Sequence, residues 1–577
     1  MHLPSALVRT AESFRVRAAL GDLSGVASLL GGLGVGSSPL ERAWCCAIRA
    51  QVGPCLSGTV KPPRQTDLEM FAEEEPGTRR VAALAAGDMA RVAFLRFDRK
   101  ALERWRGLLW RLSAGSEGGE IEVAILGALG AWLTGETPPL DLEGLATRAA
   151  GARLAGALVE ICAIRALHAL EAGDHGAGLM LARRASLMAR TEGLPDAELL
   201  ANMALVRARR YNRQTHLALR IAETLDRVAT PPWRAWLDWE RLFAGRLPAT
   251  GAAEVGRAAD TPALSVARLL KTAALGEPAL FRCQVEQLRA SLDTEPLRRD
   301  AAALIAALAP AEPPPTAELR AWREGASPLP PAALHGLVVP SLLAVTARQA
   351  DRDDDPTGSD PAVAGAYVLL IPGAAGVRLL CAGLALALGA GAARVRQSRR
   401  RHGRVESLLA ILALAGPDGL DEPSCFARVY GFGYVPAIHR GVVDVLVHRA
   451  RGALEGIAVV ARANGRLALL TTRPLLIPDP SSSRSTTDRV LRLLADRGRA
   501  SAKEAAARLG LSLRLVQGAL NELAGSHACI VERDGRRVTY AVEDSVFSEP
   551  TGRFAAGVAA LALDSGSRAL PEGGPRA

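Results

Sequence analysis

The segment HRGVVDVLVHRARGALE, His439–Glu455, decides how the carboxyl-terminal part of the chain folds. Its apolar residues recur at spacings of three and four, which predicts an amphipathic helix packed on one side. The inward face is predicted to contain Val442, Val443, Leu446, Ala450 and Leu454. A second face carries Arg440, Asp444, His448 and Arg451. A helix that is buried on one side and lined with Arg and His on another suits the major groove of DNA.

The sequence around this helix predicts the rest of a small domain. Val405–Ala415 and Glu422–Tyr430 have the pattern of two preceding helices. The stretch IAVVARANGRLALL predicts a hairpin about Asn464–Gly465, because Asn-Gly favours a tight type I′ turn. Three helices followed by a hairpin is the winged-helix plan. We therefore predict a first basic module over residues 363–475, which begins with a small sheet of apolar strands.

This module resembles the output domain of OmpR/PhoB-type response regulators over about residues 365–472. The resemblance rests on Tyr430–Gly431, on Val443–Asp444–Val445 and on the basic run that ends at Leu454. It implies a winged helix that binds DNA. The family favours a polar pair containing Arg where this chain has Gly441 and Val442, which shifts the expectation from base readout toward phosphate contact. No phosphoacceptor domain precedes the module. A basic run that precedes the first helix of the module is predicted to contact phosphates through Arg399, Arg400 and Arg401.

A second basic module is predicted over residues 487–546. Ser501 and Glu504 form the sequence pattern of a capping box, and Ser512 is placed to cap the next helix. In that helix the apolar face is predicted to contain Leu513, Val516, Leu520 and Leu523. The opposite face carries Arg514, Gln517 and Asn521. These three residue types hydrogen-bond the edges of guanine or adenine, so we predict that they read bases.

The stretch CIVERDGRRVTYAV that follows predicts a hairpin about Asp534–Gly535. Its basic residues are Arg533, Arg536 and Arg537, which we predict to contact phosphates or the minor groove. The segment from about 486 to 544 resembles the winged helices of MarR-, ArsR- and GntR-type bacterial regulators. Winged helices also act as protein adaptors, and two Arg-rich hairpins in tandem weigh against that alternative.

Residues 1–310 are predicted to form a helical array. Amphipathic segments at 175–190, 196–211 and 215–228 follow one another with short loops, and helix pairs of this length resemble degenerate tetratricopeptide repeats. An irregular helical domain is the alternative. Either would offer a surface to a protein or peptide partner. Residues 311–362 and 476–486 are predicted linkers, and 547–577 a flexible tail.

The charge is concentrated near the carboxyl terminus. The chain carries a net charge of +10, and residues 392–544 alone hold 24 Arg and Lys against 15 Asp and Glu. Such a basic region favours a polyanionic partner. Residues 361–393 could be interpreted as a membrane tether, but their uncharged run is too short and too rich in Gly for a span. No signal peptide and no catalytic, cofactor or metal motif is visible, so we expect a cytoplasmic protein that is not an enzyme and binds neither a cofactor nor a metal.

The sequence thus predicts a mainly α chain: an N-terminal helical repeat array followed by two winged-helix (α+β) domains. The expected function is a bacterial transcriptional regulator that binds double-stranded DNA. The alternative is a protein-interaction scaffold that does not bind DNA. Whether the protein forms a homodimer is left open.

Overall fold

The computed structural model describes a large part of the 577-residue chain. The described residues are 40, 64–138, 141–226, 231–246, 261–275, 278–309, 313–323, 330–345, 370–373, 376–380, 393–394, 403–416, 418–471, 475–478, 485–526, 528–535 and 537–542. Over these ranges the chain is mainly α-helical, as predicted. Spatial contacts separate two compact units. One contains the described residues up to Glu240, Asp293–Pro296 and those from Val490 onward, and the other contains Arg241–Leu292 and Leu297–Arg489.

Helices make up the described chain from residue 65 to residue 323. They are α1 Gln65–Glu69, α2 Pro76–Leu95, α3 Arg99–Leu112, α4 Glu117–Thr134, α5 Leu142–Gly151, α6 Ala155–Glu171, α7 His175–Thr191, α8 Pro195–Tyr211, α9 Thr215–Leu225, α10 Pro231–Phe243, α11 Pro262–Leu275, α12 Pro278–Ser291, α13 Glu295–Leu308 and α14 Ala317–Arg323. The three helices predicted near 175–190, 196–211 and 215–228 are confirmed as α7, α8 and α9.

A repeated turn sets the spacing of these helices. Arg153, Gly173, Gly193 and Arg213 lie 20 residues apart, and each adopts a left-handed backbone with φ between 57° and 86°. The amide of the following residue donates to the carbonyl five residues earlier, at 2.8–2.9 Å. This is the Schellman geometry that ends a helix and redirects the chain. It gives α6, α7 and α8 the same length of 17 residues.

The interior of the first unit contains a buried charge cluster. The Glu240 carboxylate is fully buried and accepts hydrogen bonds from Arg207 Nη1 at 2.8 Å and Arg210 Nε at 2.7 Å. Trp236 Nε1 also donates to it at 3.1 Å. Arg207 reaches Glu171 as well, at 2.9 Å. These contacts fix α6, α8 and α10 relative to one another, because each buried charge needs its partners.

A five-stranded sheet lies in the second unit. Its strands are β1 Val338–Val345, β2 Leu370–Gly373, β3 Gly376–Leu380, β4 Ala393–Arg394 and β8 Leu475–Pro478, in the order β2-β3-β1-β8-β4. The apolar strands predicted before Arg394 are therefore present as β2 and β3. Helix α14 and strand β1 lie in the segment predicted as a linker. The apolar run of β1 pairs with both β3 and β8, which satisfies its backbone groups despite the Pro-rich sequence around it.

The first basic module contains three helices and a three-stranded sheet. In chain order these are α15 Arg404–Ala415, β5 Leu420–Asp421, α16 Glu422–Tyr430, α17 Pro436–Ala453, β6 Val459–Ala463 and β7 Arg466–Leu470. The strand order is β5-β7-β6. Asn464 and Gly465 have φ of 52° and 72°, which confirms the predicted type I′ turn.

The core of this module corrects one sequence prediction. Val443, Leu446, Ala450 and Leu454 are buried as expected, but Val442 is 39% exposed. Val447 is buried at 3% and takes the inward position instead. A helix turns by 100° per residue, and this rotation places Val442 outside the buried face formed by Val443, Leu446, Val447 and Ala450.

The second basic module repeats the same order of elements. They are α18 Thr486–Arg497, β9 Arg499–Ala500, α19 Ala502–Leu509, α20 Leu513–Gly525, β10 Ile530–Asp534 and β11 Arg537–Ala541, with strand order β10-β11-β9. Val516, Leu520 and Leu523 are buried, and Leu217 of α9 joins this core. Leu513 is 45% exposed, so its predicted inward position is wrong. It is the first residue of α20 and has no preceding turn to cover it.

Candidate nucleic-acid interface

Helix α17 is fixed at its amino end by a cluster of rings. Pro436 is its first residue, where the missing N–H costs no hydrogen bond. The Val435 N–H donates to His439 Nδ1 at 2.8 Å. The His439 ring stacks on Phe426 of α16 at 4.4 Å between centroids. Gly431, with φ of 82°, ends α16 and turns the chain toward α17. The angle between α16 and α17 is therefore set by packing.

The structure brings the four predicted residues of α17 to one exposed side. Arg440, Asp444, His448 and Arg451 are all exposed. Two of them bind the β6–β7 hairpin. The Asp444 carboxylate accepts from Arg462 at 2.5 Å, and Arg451 Nε donates to the Val460 carbonyl at 3.0 Å. Only Arg440 and His448 lack a hydrogen bond or ion pair within the described part of the chain.

Arg462 connects three elements of the first basic module. Its Nε and Nη2 donate to the two oxygens of Glu422 at 2.5 and 2.8 Å, and its Nη1 donates to Asp444. The hydrogen bonds from Arg462 to Glu422, and then to Asp444, raise the pKa of Arg462 above its ordinary value. Arg466 donates to the carbonyls of Asp418 and Gly419 at 3.1 and 2.9 Å. The arginines of this hairpin therefore hold the module together. Contrary to what the sequence suggested, the two hairpins are not equivalent, because the arginines of the first hairpin are engaged within the protein.

An apolar stripe also lies on the exposed side of α17. Ile438, Val442 and Val445 are 70%, 39% and 50% exposed. Their spacing of four and three places them in one row along the helix. This row was not predicted from the sequence, because helical periodicity favours an inward position for Val442.

Helices α19 and α20 of the second basic module each begin at a well-formed cap. The Ser501 Oγ accepts from the Glu504 N–H at 3.3 Å, and the Glu504 carboxylate accepts from the Ser501 N–H at 2.8 Å, which confirms the predicted capping box of α19. Gly510 ends α19 with φ of 62°. Ser512 then caps α20, with its Oγ accepting from the Leu515 N–H at 3.4 Å.

The predicted reading face of α20 is exposed. Arg514, Gln517 and Asn521 lie on one side at spacings of three and four, opposite the buried Val516 and Leu520. None of the three forms a hydrogen bond or ion pair with a described residue. Their polar groups are thus available to a ligand approaching α20.

The β10–β11 hairpin presents arginines to solvent. Arg533 and Arg537 are both exposed, and the pairing register puts them on opposite faces of the ribbon. Arg537 Nη2 lies 3.4 Å from Glu504. The hydrogen bonds from Ser501 lower the pKa of Glu504, so this carboxylate is charged at neutral pH. The predicted contacts Arg399, Arg400, Arg401 and Arg536 lie outside the described residues.

Among the described residues, no group of three or more His, Cys, Asp or Glu could hold a metal ion. No helix within the described ranges combines the length and the apolar character needed to cross a membrane. No family model, curated protein or solved structure matches this chain.

Proposed function

We propose that this chain is a DNA-binding transcriptional regulator of a bacterial cytoplasm, with tandem winged helices at its carboxyl-terminal end. The observation that supports the proposal best is the repeated order helix, strand, helix, helix, hairpin in both basic modules. In this order the third helix is the one that enters the major groove, and the hairpin lies beside it as a wing. Both third helices carry exposed polar side chains that can donate to bases or phosphates.

The second basic module is the proposed reader of sequence. Its Arg514, Gln517 and Asn521 have the side chains that pair with guanine and adenine, and they are not engaged by described residues. Arg533 and Arg537 of its hairpin would contact phosphates or the minor groove. In the first basic module, Arg440 and His448 remain as proposed DNA contacts. Asp444 and Arg451 would act by positioning the hairpin.

The N-terminal helices would receive the regulatory partner. The regular succession of α6, α7 and α8 resembles a tetratricopeptide-type array, which typically binds a protein or peptide.

The test is a salt titration of binding to duplex DNA by the full chain. Neutralising several phosphates should give a steep linear fall of log affinity with log salt concentration. Arg537→Ala should weaken binding to all sequences alike and make that slope shallower. Gln517→Ala should change the sequence preference and leave the slope unchanged. If both variants behave alike, the assignment of the reading face is wrong.

A protein-interaction scaffold is the second candidate function. The apolar row of Ile438, Val442 and Val445 favours it, because exposed apolar rows on helices often bind partner helices. Under this alternative, the wild-type chain would show little DNA binding at physiological salt. Val445→Asp would then abolish capture of the partner without changing the weak DNA binding.

A further inference from the structure

A cleft in the second basic module lies between α19 and the sheet of β9, β10 and β11. Its volume is about 540 Å³. The charged residues that line it are Arg497, Arg499, Glu504, Arg508, Glu532, Arg533, Asp534 and Arg537. The lining thus has five arginines against three carboxylates, so the cleft carries a net positive charge. Its size is that of a small-molecule site.

One face of the sheet forms the floor of this cleft. Pairing places Glu532 opposite Thr539 and Asp534 opposite Arg537, so these four residues point to the same side. Arg499 of β9 lies opposite Ala541 and shares that side. The lining of the cleft also includes Arg508 of α19 and Arg497 of α18.

The arginines of the cleft differ in how they are engaged. Arg499 lies 3.3 Å from Glu532, and Arg537 lies 3.4 Å from Glu504. Arg497, Arg508 and Arg533 form no hydrogen bond or ion pair with any residue that the structure describes. Arg497 and Arg508 thus line the cleft with donors that no described residue engages by a hydrogen bond or ion pair, whereas Arg533 lies on the opposite face of the ribbon from Arg537. Guanidinium donors bind phosphate in a bidentate manner.

We propose that this cleft binds a phosphate or phosphodiester group through Arg497 and Arg508. The group can come from the DNA backbone or from a free phosphorylated small molecule, and both sources present the same oxygens. The inference does not rest on base reading by α20, and it holds for a chain that binds no duplex.

The experiment uses the full chain and two probes, inorganic pyrophosphate and a short duplex DNA. Pyrophosphate binding is measured by titration calorimetry, and duplex binding by fluorescence anisotropy at fixed salt. The double variant Arg497→Gln/Arg508→Gln should lose at least about tenfold in pyrophosphate affinity. The matched control is Arg80→Gln/Arg104→Gln, which removes the same charge from exposed arginines of α2 and α3. It should bind pyrophosphate like the wild-type chain.

A variant that should bind pyrophosphate more tightly excludes loss of folding as the explanation for weaker binding. Asp534→Asn removes a carboxylate from the cleft and should tighten pyrophosphate binding severalfold. Arg508→Lys keeps the charge but loses the planar fork, so its loss should be smaller than that of Arg508→Gln. Absence of binding to the wild-type chain, or equal binding by the cleft and control double variants, would overturn the proposal.

The duplex arm identifies the source of the phosphate. If pyrophosphate competes with the duplex and the cleft variant loses affinity for both, the DNA backbone occupies the cleft. If the cleft variant loses pyrophosphate but binds the duplex normally, the occupant is a free phosphorylated molecule. A wild-type chain that binds pyrophosphate but no duplex would refute the proposed regulator and leave the cleft proposal standing.

Discussion

Replacing Arg462 by Met should loosen the β6–β7 hairpin of the first basic module. Arg462 donates two hydrogen bonds to Glu422, whose side chain is 12% exposed, and one to Asp444, whose side chain is 47% exposed. When the guanidinium is lost, the nearly buried Glu422 carboxylate no longer has this partner. The exposed contact to Asp444 contributes little because water screens it.

The expected loss of stability in Arg462→Met follows from the exposed fractions of these side chains. A fully buried pair that loses one partner costs about 3–5 kcal/mol, whereas an exposed pair costs below about 1 kcal/mol. The Arg462 side chain is 31% exposed, so its removal lies between these limits, at about 2 kcal/mol. Asp444→Asn should cost less than about 1 kcal/mol, since Glu422 still holds Arg462.

The assay is amide hydrogen exchange of the full chain, followed by mass spectrometry of peptides from β6 and β7. A loss of about 2 kcal/mol in local opening free energy corresponds to roughly 30-fold faster exchange. Arg449→Met is the control, because Arg449 is an exposed arginine of α17 that forms no pair with a described residue. Equal exchange in the two variants would show that Arg462 does not hold the hairpin.

Three further changes test other parts of the structure. Glu240→Gln should destabilise the helical array by about 3–5 kcal/mol, since two buried guanidiniums lose the charge of the carboxylate that they share. Urea unfolding followed by tryptophan fluorescence measures this change, because all eight tryptophans precede residue 323. Gly465→Ala should cost about 1 kcal/mol because residue 465 has a φ of 72°, and amide hydrogen exchange of the β6–β7 hairpin should become faster. Gly452→Ala, in open space on α17, should stabilise that helix by up to about 1 kcal/mol and slow the exchange of α17. The pKa of Glu504 is lowered in the folded chain, so the carboxylate contributes stability above its ordinary pKa of 4.5, and this contribution is lost as the pH falls through the folded pKa. Glu504→Gln should remove this pH-dependent part of the stability of α19. A variant whose hydrogen-exchange rates follow the same pH dependence as those of the wild-type chain would contradict the prediction.

Local sequence signals predicted much of both basic modules. The Asn464–Gly465 turn and the Ser501–Glu504 capping box each involve residues a few positions apart, so their geometry follows from nearby chemistry. The left-handed turns at Arg153 and Arg213 lack such a signal, because the residue type does not favour that backbone. The regular 20-residue spacing therefore becomes visible only in the folded chain.

The roles of single charged residues depended on partners that the sequence does not reveal. Asp444 was predicted as a groove contact, but its partner Arg462 lies 18 positions away, and Glu422 lies 40 positions from Arg462. The predicted buried position of Val442 was wrong because this residue lies at the margin of an apolar face, and that of Leu513 was wrong because it is the first residue of α20. Helical periodicity identifies a face well and its edges poorly.

The two basic modules share one architecture but use their arginines in opposite ways. In the first, Arg462 and Arg466 of the hairpin are saturated by Glu422, Asp444 and backbone carbonyls. In the second, Arg533 lacks a partner among the described residues, and Arg537 has only a long, exposed contact to Glu504. A guanidinium already bound to two carboxylates would have to break those bonds before it could bind a phosphate. Salt-dependent binding should therefore arise mainly from the second module, and neutralising its arginines should reduce the salt slope more than equivalent changes in the first.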